Sequence, residues 1–149
     1  MKVTIVKVDP YHKIFGLLVP ELVQRLTESL QALGDETGAV LLNFMPRLWA
    51  RDTGALLLAA VDEKGHVKGH VAAFFQETQE AGRQVVLIQP RLDEPAENDA
   101  VAEMLAEVEK WAKVLNAGEL MLVSKRFDSK WAKKHGFEIA RYILTKAVG

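Results

Sequence analysis

The stretch "VEKWAKVLNAGELMLVSKRFDSKWAKKHGFEIARYILTK", Val108 to Lys146, decides the fold. Val108, Trp111, Ala112 and Leu115 recur at helical spacing and extend a stripe begun by Val101, Met104 and Leu105. Asn116 to Gly118 closes that helix, and Glu119 to Ser124 ("ELMLVS") reads as a strand. Ser129 to His135 is a short helix with Gly136 as its left-handed cap. Phe137 to Val148 returns to a strand pattern. A long helix, a strand, a short helix and a strand in succession specify an α/β chain with helices packed on a sheet.

The rest of the chain agrees. "KVTIVKV", Lys2 to Val8, alternates, with Val3 and Ile5 on one side and Thr4, Val6 and Val8 on the other. Ile14, Leu18, Leu22, Leu26, Leu30 and Leu33 form a helical stripe. Pro20 interrupts it, because an interior proline loses a hydrogen bond and clashes with the preceding turn. The expectation is a short helical piece before Val19 and a main helix from Pro20 to Leu33, stopped by Gly34. "LLNFMPRLWA", Leu41 to Ala50, holds a further short helix, expected to be interrupted at Pro46. Ala55 to Val61 and His66 to Gln76 are strands joined by the turn Asp62 to Gly65. A loop from Glu77 to Arg83 leads to "QVVLIQ", Gln84 to Gln89, which is apolar on both faces and therefore central.

Composition narrows the class. A chain of 149 residues, 49% hydrophobic and 26% charged, is sized for one domain, 1–149, with one core. Without cysteine there is no disulfide, thiol nucleophile or cysteine-based metal site, which fits the cytoplasm or another reducing compartment. No signal peptide is recognisable and no apolar run is long enough to span a membrane, so a soluble protein is expected. A formal net charge of −1 gives no global attraction to nucleic acid or anionic lipid.

With this element order in place, the chain resembles the GNAT superfamily, the Gcn5-related N-acetyltransferases, over essentially its whole length. "KKHGFEIARYILTK" is similar to the family's usual ending, where a helix closes on Gly-Phe and a strand follows. "LLLAAVDEKGHVKGHVAAF", Leu56 to Phe74, is similar to its strand hairpin, with Gly69 opening the second strand. The resemblance implies a mixed, mainly antiparallel sheet with helices on both faces. It implies transfer of an acetyl group from acetyl-CoA to an amine, on a small molecule or a protein, with no metal. It also implies a cofactor site: Ile88 and Gln89 at the end of the central strand, to polarise the thioester carbonyl, and Asn98, Asp99, Ala100 and Val101 at the start of the long helix, to hold the pyrophosphate. Glu77, ending its strand, is then the candidate general base, the amine being expected to enter between Glu77 and Gln89.

The family's pyrophosphate loop is Arg/Gln-x-x-Gly-x-Gly/Ala. Aligned on Met104-Leu105 and Trp111-Ala112, it falls on Ala96 to Val101 and is degenerate. Asp99 and Val101 stand where glycines let a backbone approach a phosphate. The family's tyrosine acid, four residues before the Gly-Phe glycine, is Ala132; Ser129 and His135 are the nearest substitutes. Asp93, Glu94, Glu97 and Asp99 line the junction before the long helix. Carboxylates there stabilise a helix by about 0.3–1 kcal/mol each. With Pro95 at its first position and Glu97 at its third, the helix would supply its own anions. Each would repel a diphosphate by about 1 kcal/mol per charge pair at contact in water. A second class therefore stays open: a non-catalytic GNAT-fold binding or structural module with protein partners, for example part of a larger assembly such as a virus particle. An oligomer fits either class.

Other constellations carry less. His66 and His70 share a strand face but do not by themselves make a metal site. Trp49, Trp111 and Trp131 read as core or interface. Lys125, Arg126, Lys130, Lys133 and Lys134 form a basic cluster, read as a solvated face. A CoA 3′-phosphate would also suit it. Nucleic acid is disfavoured, because Phe127 and Trp131 are the only interleaved aromatics.

Overall fold

The structure is a computed structural model that describes residues 1–31, 44–80, 82–122, 129–138 and 146–148. Among the described residues five strands form one sheet in the order β1-β2-β3-β4-β5. They are β1 (Val3–Lys7), β2 (Ala55–Asp62), β3 (Val67–Thr78), β4 (Gly82–Leu92) and β5 (Glu119–Leu122). The first three pairings are antiparallel and β4–β5 is parallel. The helices are α1 (Phe15–Gln31), α2 (Ala100–Val114) and α3 (Ser129–Lys134), with a further helical segment at 44–49. This is the mixed, mainly antiparallel α/β architecture that the sequence implies.

Side-chain alternation along the strands builds two cores, one on each face of the sheet, where the chain length alone suggested one. On one face Leu57, Ala59, Ala72, Phe74 and Val86 pack under Ile14, Leu18 and Leu22 of the α1 stripe and under Phe44 and Leu48. On the other, Leu56, Leu58, Ala60, Val71, Ala73, Val85 and Leu87 pack under Met104, Leu105, Val108 and Ala112 of α2. The strands are apolar on both sides because both sides are covered.

Several boundaries differ from the sequence reading; among them the expected loop Glu77 to Arg83 is shorter, its two ends belonging to β3 and β4. α1 is one helix through Pro20, not two pieces. The carbonyl that Pro20 would clash with belongs to Gly16, an exposed glycine whose surroundings leave the turn room to adjust. Of the expected stripe, Ile14, Leu18 and Leu22 are buried; the side chains of Leu26 and Leu30, and Leu33 altogether, lie outside the described residues. β4 does not stop at Gln89 but runs through Pro90 to Leu92. α2 starts at Ala100, so Pro95 and Glu97 precede it and are not its first and third residues. The final strand, Phe137 to Val148, falls largely outside the described residues. Among those residues no helix is long and apolar enough to cross a membrane.

Candidate functional site

The upper end of the sheet, where β4 finishes and α2 begins, gathers most of the residues that the sequence singles out. In the β3–β4 ladder Ala72 faces Ile88 and His70 faces Arg91. Gln89 and Pro90 together therefore oppose the single residue Val71, which is a β-bulge in β4. Proline tolerates this position because it has no N–H to give the ladder. Beyond the bulge the two backbones approach closely. A Cβ on Gly69 would lie 2.3 Å from the Arg91 carbonyl oxygen, so only glycine fits. On its other side β4 pairs with β5 from Gln84 opposite Glu119 to Leu87 opposite Leu122.

The bulge also changes which side chains face α1. Arg91 reaches Glu21 of α1 at 2.5 Å and donates from Nε to Asp93 at 2.5 Å. This ties the end of β4 to α1 through a half-exposed network.

Every carboxylate of the junction has a partner within the chain. Besides Asp93 on Arg91, Glu94 accepts from Lys68 of β3 at 3.0 Å. Glu97 lies 3.6 Å from the amino terminus, and its N–H donates to the Met1 carbonyl at 2.6 Å. Asp99 is the N-cap of α2: its Oδ1 accepts from the Ala102 N–H at 3.1 Å, and Oδ2 stands 3.4 Å from Lys134 of α3. The Ala102 N–H is the largest cause holding the Asp99 carboxyl below its ordinary pKa; Lys134 and His135 add to it, and partial burial works the other way. One further amide of the helix start is also engaged, Ala100 donating to the Asn98 carbonyl at 2.9 Å, and the first regular helix bond runs from Glu103 to the Asp99 carbonyl at 3.0 Å.

Asn98 completes the junction. Its Oδ1 accepts from the Val3 N–H and its Nδ2 donates to the Val3 carbonyl, both at 3.2 Å. Nδ2 also reaches Glu103 at 3.0 Å. The side-chain amide thus imitates a neighbouring strand on the outer edge of β1. With Glu97 bonded to Met1, it holds residues 97 and 98 out of the helix, which is why α2 begins at Ala100. The long-range partners Val3, Met1, Lys68 and Lys134 were not legible in the sequence, since each is distant along the chain from the junction residue it meets. The one available signal was Gly69 and Pro90 inside strand patterns, which together mark a bulge and a close approach.

Ile88, Asn98, Asp99, Ala100 and Val101, and the backbone of Gln89, therefore lie at one end of the sheet. Glu77 does not. It faces Arg83 at the opposite end, 3.5 Å from that guanidinium. From Arg83 to Gln89 the strand advances about 20 Å. β3 and β4 are antiparallel, so the end of one meets the start of the other. That register sets Glu77 and Gln89 at opposite ends of the strand pair, not side by side as expected. His66 and His70 also separate: His66 is exposed before β3, 3.7 Å from Asp62, and His70 is buried within the strand. Among the described residues no three His, Asp or Glu side chains could share a metal ion. Trp111 is half-buried and donates to the Thr53 carbonyl at 3.2 Å. Trp49 is exposed and meets Phe15 edge-on. The side chains of Ser129, Trp131 and Ala132 lie outside the described set.

No family model matches the chain, and no curated protein matches it. Solved structures do. A predicted acetyltransferase from Clostridium acetobutylicum, solved with acetyl-CoA, superposes with a TM-score of 0.66 at 20% identity, over 97% of this chain and 96% of that one. Glucosamine-6-phosphate N-acetyltransferase from Arabidopsis thaliana gives 0.67 at 12% identity, over the whole of both chains (100% each). Ribosomal-protein-alanine N-acetyltransferase from Brucella melitensis biovar Abortus 2308 gives 0.61 at 15%, again over 100% of both. The chain has the GNAT fold.

Proposed function

We propose that this GNAT-fold chain is an N-acyltransferase, which moves an acyl group from a thioester donor of the acetyl-CoA kind to an amine on a small molecule or a protein. One observation carries the reading. β4 breaks its ladder with β3 at Gln89–Pro90, next to Ile88. A bulge leaves its extra residue out of the ladder, which frees strand-end backbone for a ligand. Fixed N–H groups at such a place stabilise a carbonyl oxygen that gains charge. The acceptors in the names of two structural neighbours, glucosamine-6-phosphate and a ribosomal protein's alanine, are amines, which supports that class of acceptor.

The two ends of such a donor fit this chain unequally. Ile88 and the Gln89 backbone suit a thioester carbonyl. The residues 98–101 do not suit a diphosphate: the Ala100 and Ala102 amides at the helix start are engaged within the chain and Asp99 places a carboxylate among them. A bound thioester brings an already activated acyl carbon. The part assigned to the protein is to orient it along the upper end of β4, beside an amine held in place.

The closed junction favours a second reading, a non-catalytic module in a larger assembly. Calorimetric titration with acetyl-CoA, together with thiol release on a panel of amines, separates the two. The enzyme reading expects saturable heat and amine-dependent thiol. It also expects a melting temperature raised as donor at 100 times Kd adds about 2.7 kcal/mol. No heat, no shift and no thiol at millimolar donor would leave the second reading, which sedimentation of the native material would then take up.

A further inference from the structure

We infer that Asp99 occupies the place a donor's diphosphate would need, so that the protein recognises acyl thioesters through the acyl-pantetheine arm and gains nothing from the diphosphate. The inference deepens the acyltransferase reading and rests on it. Three contacts carry it. Asp99 Oδ1 takes the Ala102 N–H, one of the amides that a helix start offers to an anion. Its other oxygen holds Lys134, a nearby cation that could otherwise serve a phosphate. The flanking backbone cannot swing aside at little cost, because Asn98 is bonded twice to Val3 and Glu97 to Met1. An anion arriving here meets a carboxylate already seated on the helix dipole, and the seat is braced against β1.

The test compares acetyl-CoA with S-acetylpantetheine, which lacks the diphosphate, by calorimetry on the native protein and on Asp99→Gly. Glycine is accepted at N-cap positions and removes both the cap oxygen and the charge; a melt of each protein establishes that it is folded. Asp99→Asn, which keeps an oxygen for Ala102 and loses the charge, is the second variant. In the native protein the two ligands are expected to bind within about threefold of each other. In Asp99→Gly acetyl-CoA should gain on S-acetylpantetheine by about fivefold or more, within the range that an anion gains at a free helix start. In Asp99→Asn a smaller gain is expected. A native preference for acetyl-CoA above threefold, or an Asp99→Gly ratio equal to the native one, overturns the inference.

If neither thioester binds the native protein, the acyltransferase reading itself falls. The place of Asp99 is then decided by titrating both proteins with inorganic pyrophosphate while following the Val101 and Ala102 amides by NMR. Shifts in Asp99→Gly alone uphold the assignment. Shifts in the native protein, or in neither, refute it.

Discussion

Asn98→Ala tests the physical basis of the junction most directly. The side chain makes two hydrogen bonds to the Val3 backbone at 3.2 Å and one to Glu103 at 3.0 Å. Val3 is only 3% exposed, so its N–H and carbonyl would be poorly served by water once the amide is gone. Each bond contributes about 1 kcal/mol net, and an unsatisfied buried group costs about 1–3 kcal/mol. The bond to Glu103 is exposed and adds little. Counting the two Val3 bonds gives a loss of about 2–3 kcal/mol. For a chain of 149 residues each kcal/mol lowers the melting temperature by about 2–4 °C, so the expected fall is about 4–12 °C. Scanning calorimetry measures it, and amide hydrogen exchange at Val3 localises it, with faster exchange expected at that residue. A fall below about 2 °C with unchanged exchange at Val3 would mean that the staple contributes nothing, and the account of why α2 begins at Ala100 would fail with it.

Three further predictions concern the frame around the site. Gly69→Ala places a methyl 2.3 Å from the Arg91 carbonyl, a clash with backbone that no rotamer relieves; a loss of about 3 kcal/mol or more by denaturant unfolding is expected, and a loss under 1 kcal/mol would argue against the close approach. Met104→Ala empties a fully buried position between α2 and the sheet and should cost about 2–5 kcal/mol in the same assay; a near-neutral result would place α2 elsewhere. Stability against pH should show a plateau with two limbs. The Asp62 and Asp99 pKa values are lowered in the folded state, chiefly by the N–H groups of His66 and Ala102 respectively, so their contribution is present above the unfolded value of about 3.9 and is lost as pH falls through the folded one. The Lys68 pKa is raised, chiefly by its bond to Glu94, so its contribution is present below the unfolded value of about 10.4 and is lost as pH rises through the folded one. Thermal melts across pH should find a shallower acid limb in Asp62→Asn/Asp99→Asn and a shallower alkaline limb in Lys68→Met. Limbs identical to those of the native protein would remove these pairs from the account.

The sequence by itself determined the elements and their faces. Periodicity is local: the stripe through Met104, Leu105 and Val108 and the alternation along β2 each follow from near neighbours in the chain, and the two cores form where those patterns point. It also marked the junction as acidic and without glycine. What tertiary structure alone decided was register and partnership. The offset that makes Gln89 and Pro90 a bulge exists only relative to β3. Asn98 finds Val3, Arg91 finds Glu21, and Asp99 finds Lys134 only once the sheet and helices are assembled. The separation of Glu77 from Gln89, by contrast, was legible: a loop as short as Glu77 to Arg83 joins only antiparallel strands, whereas the exact register that offsets β4 from β3 is a relation between strands that neither one carries alone.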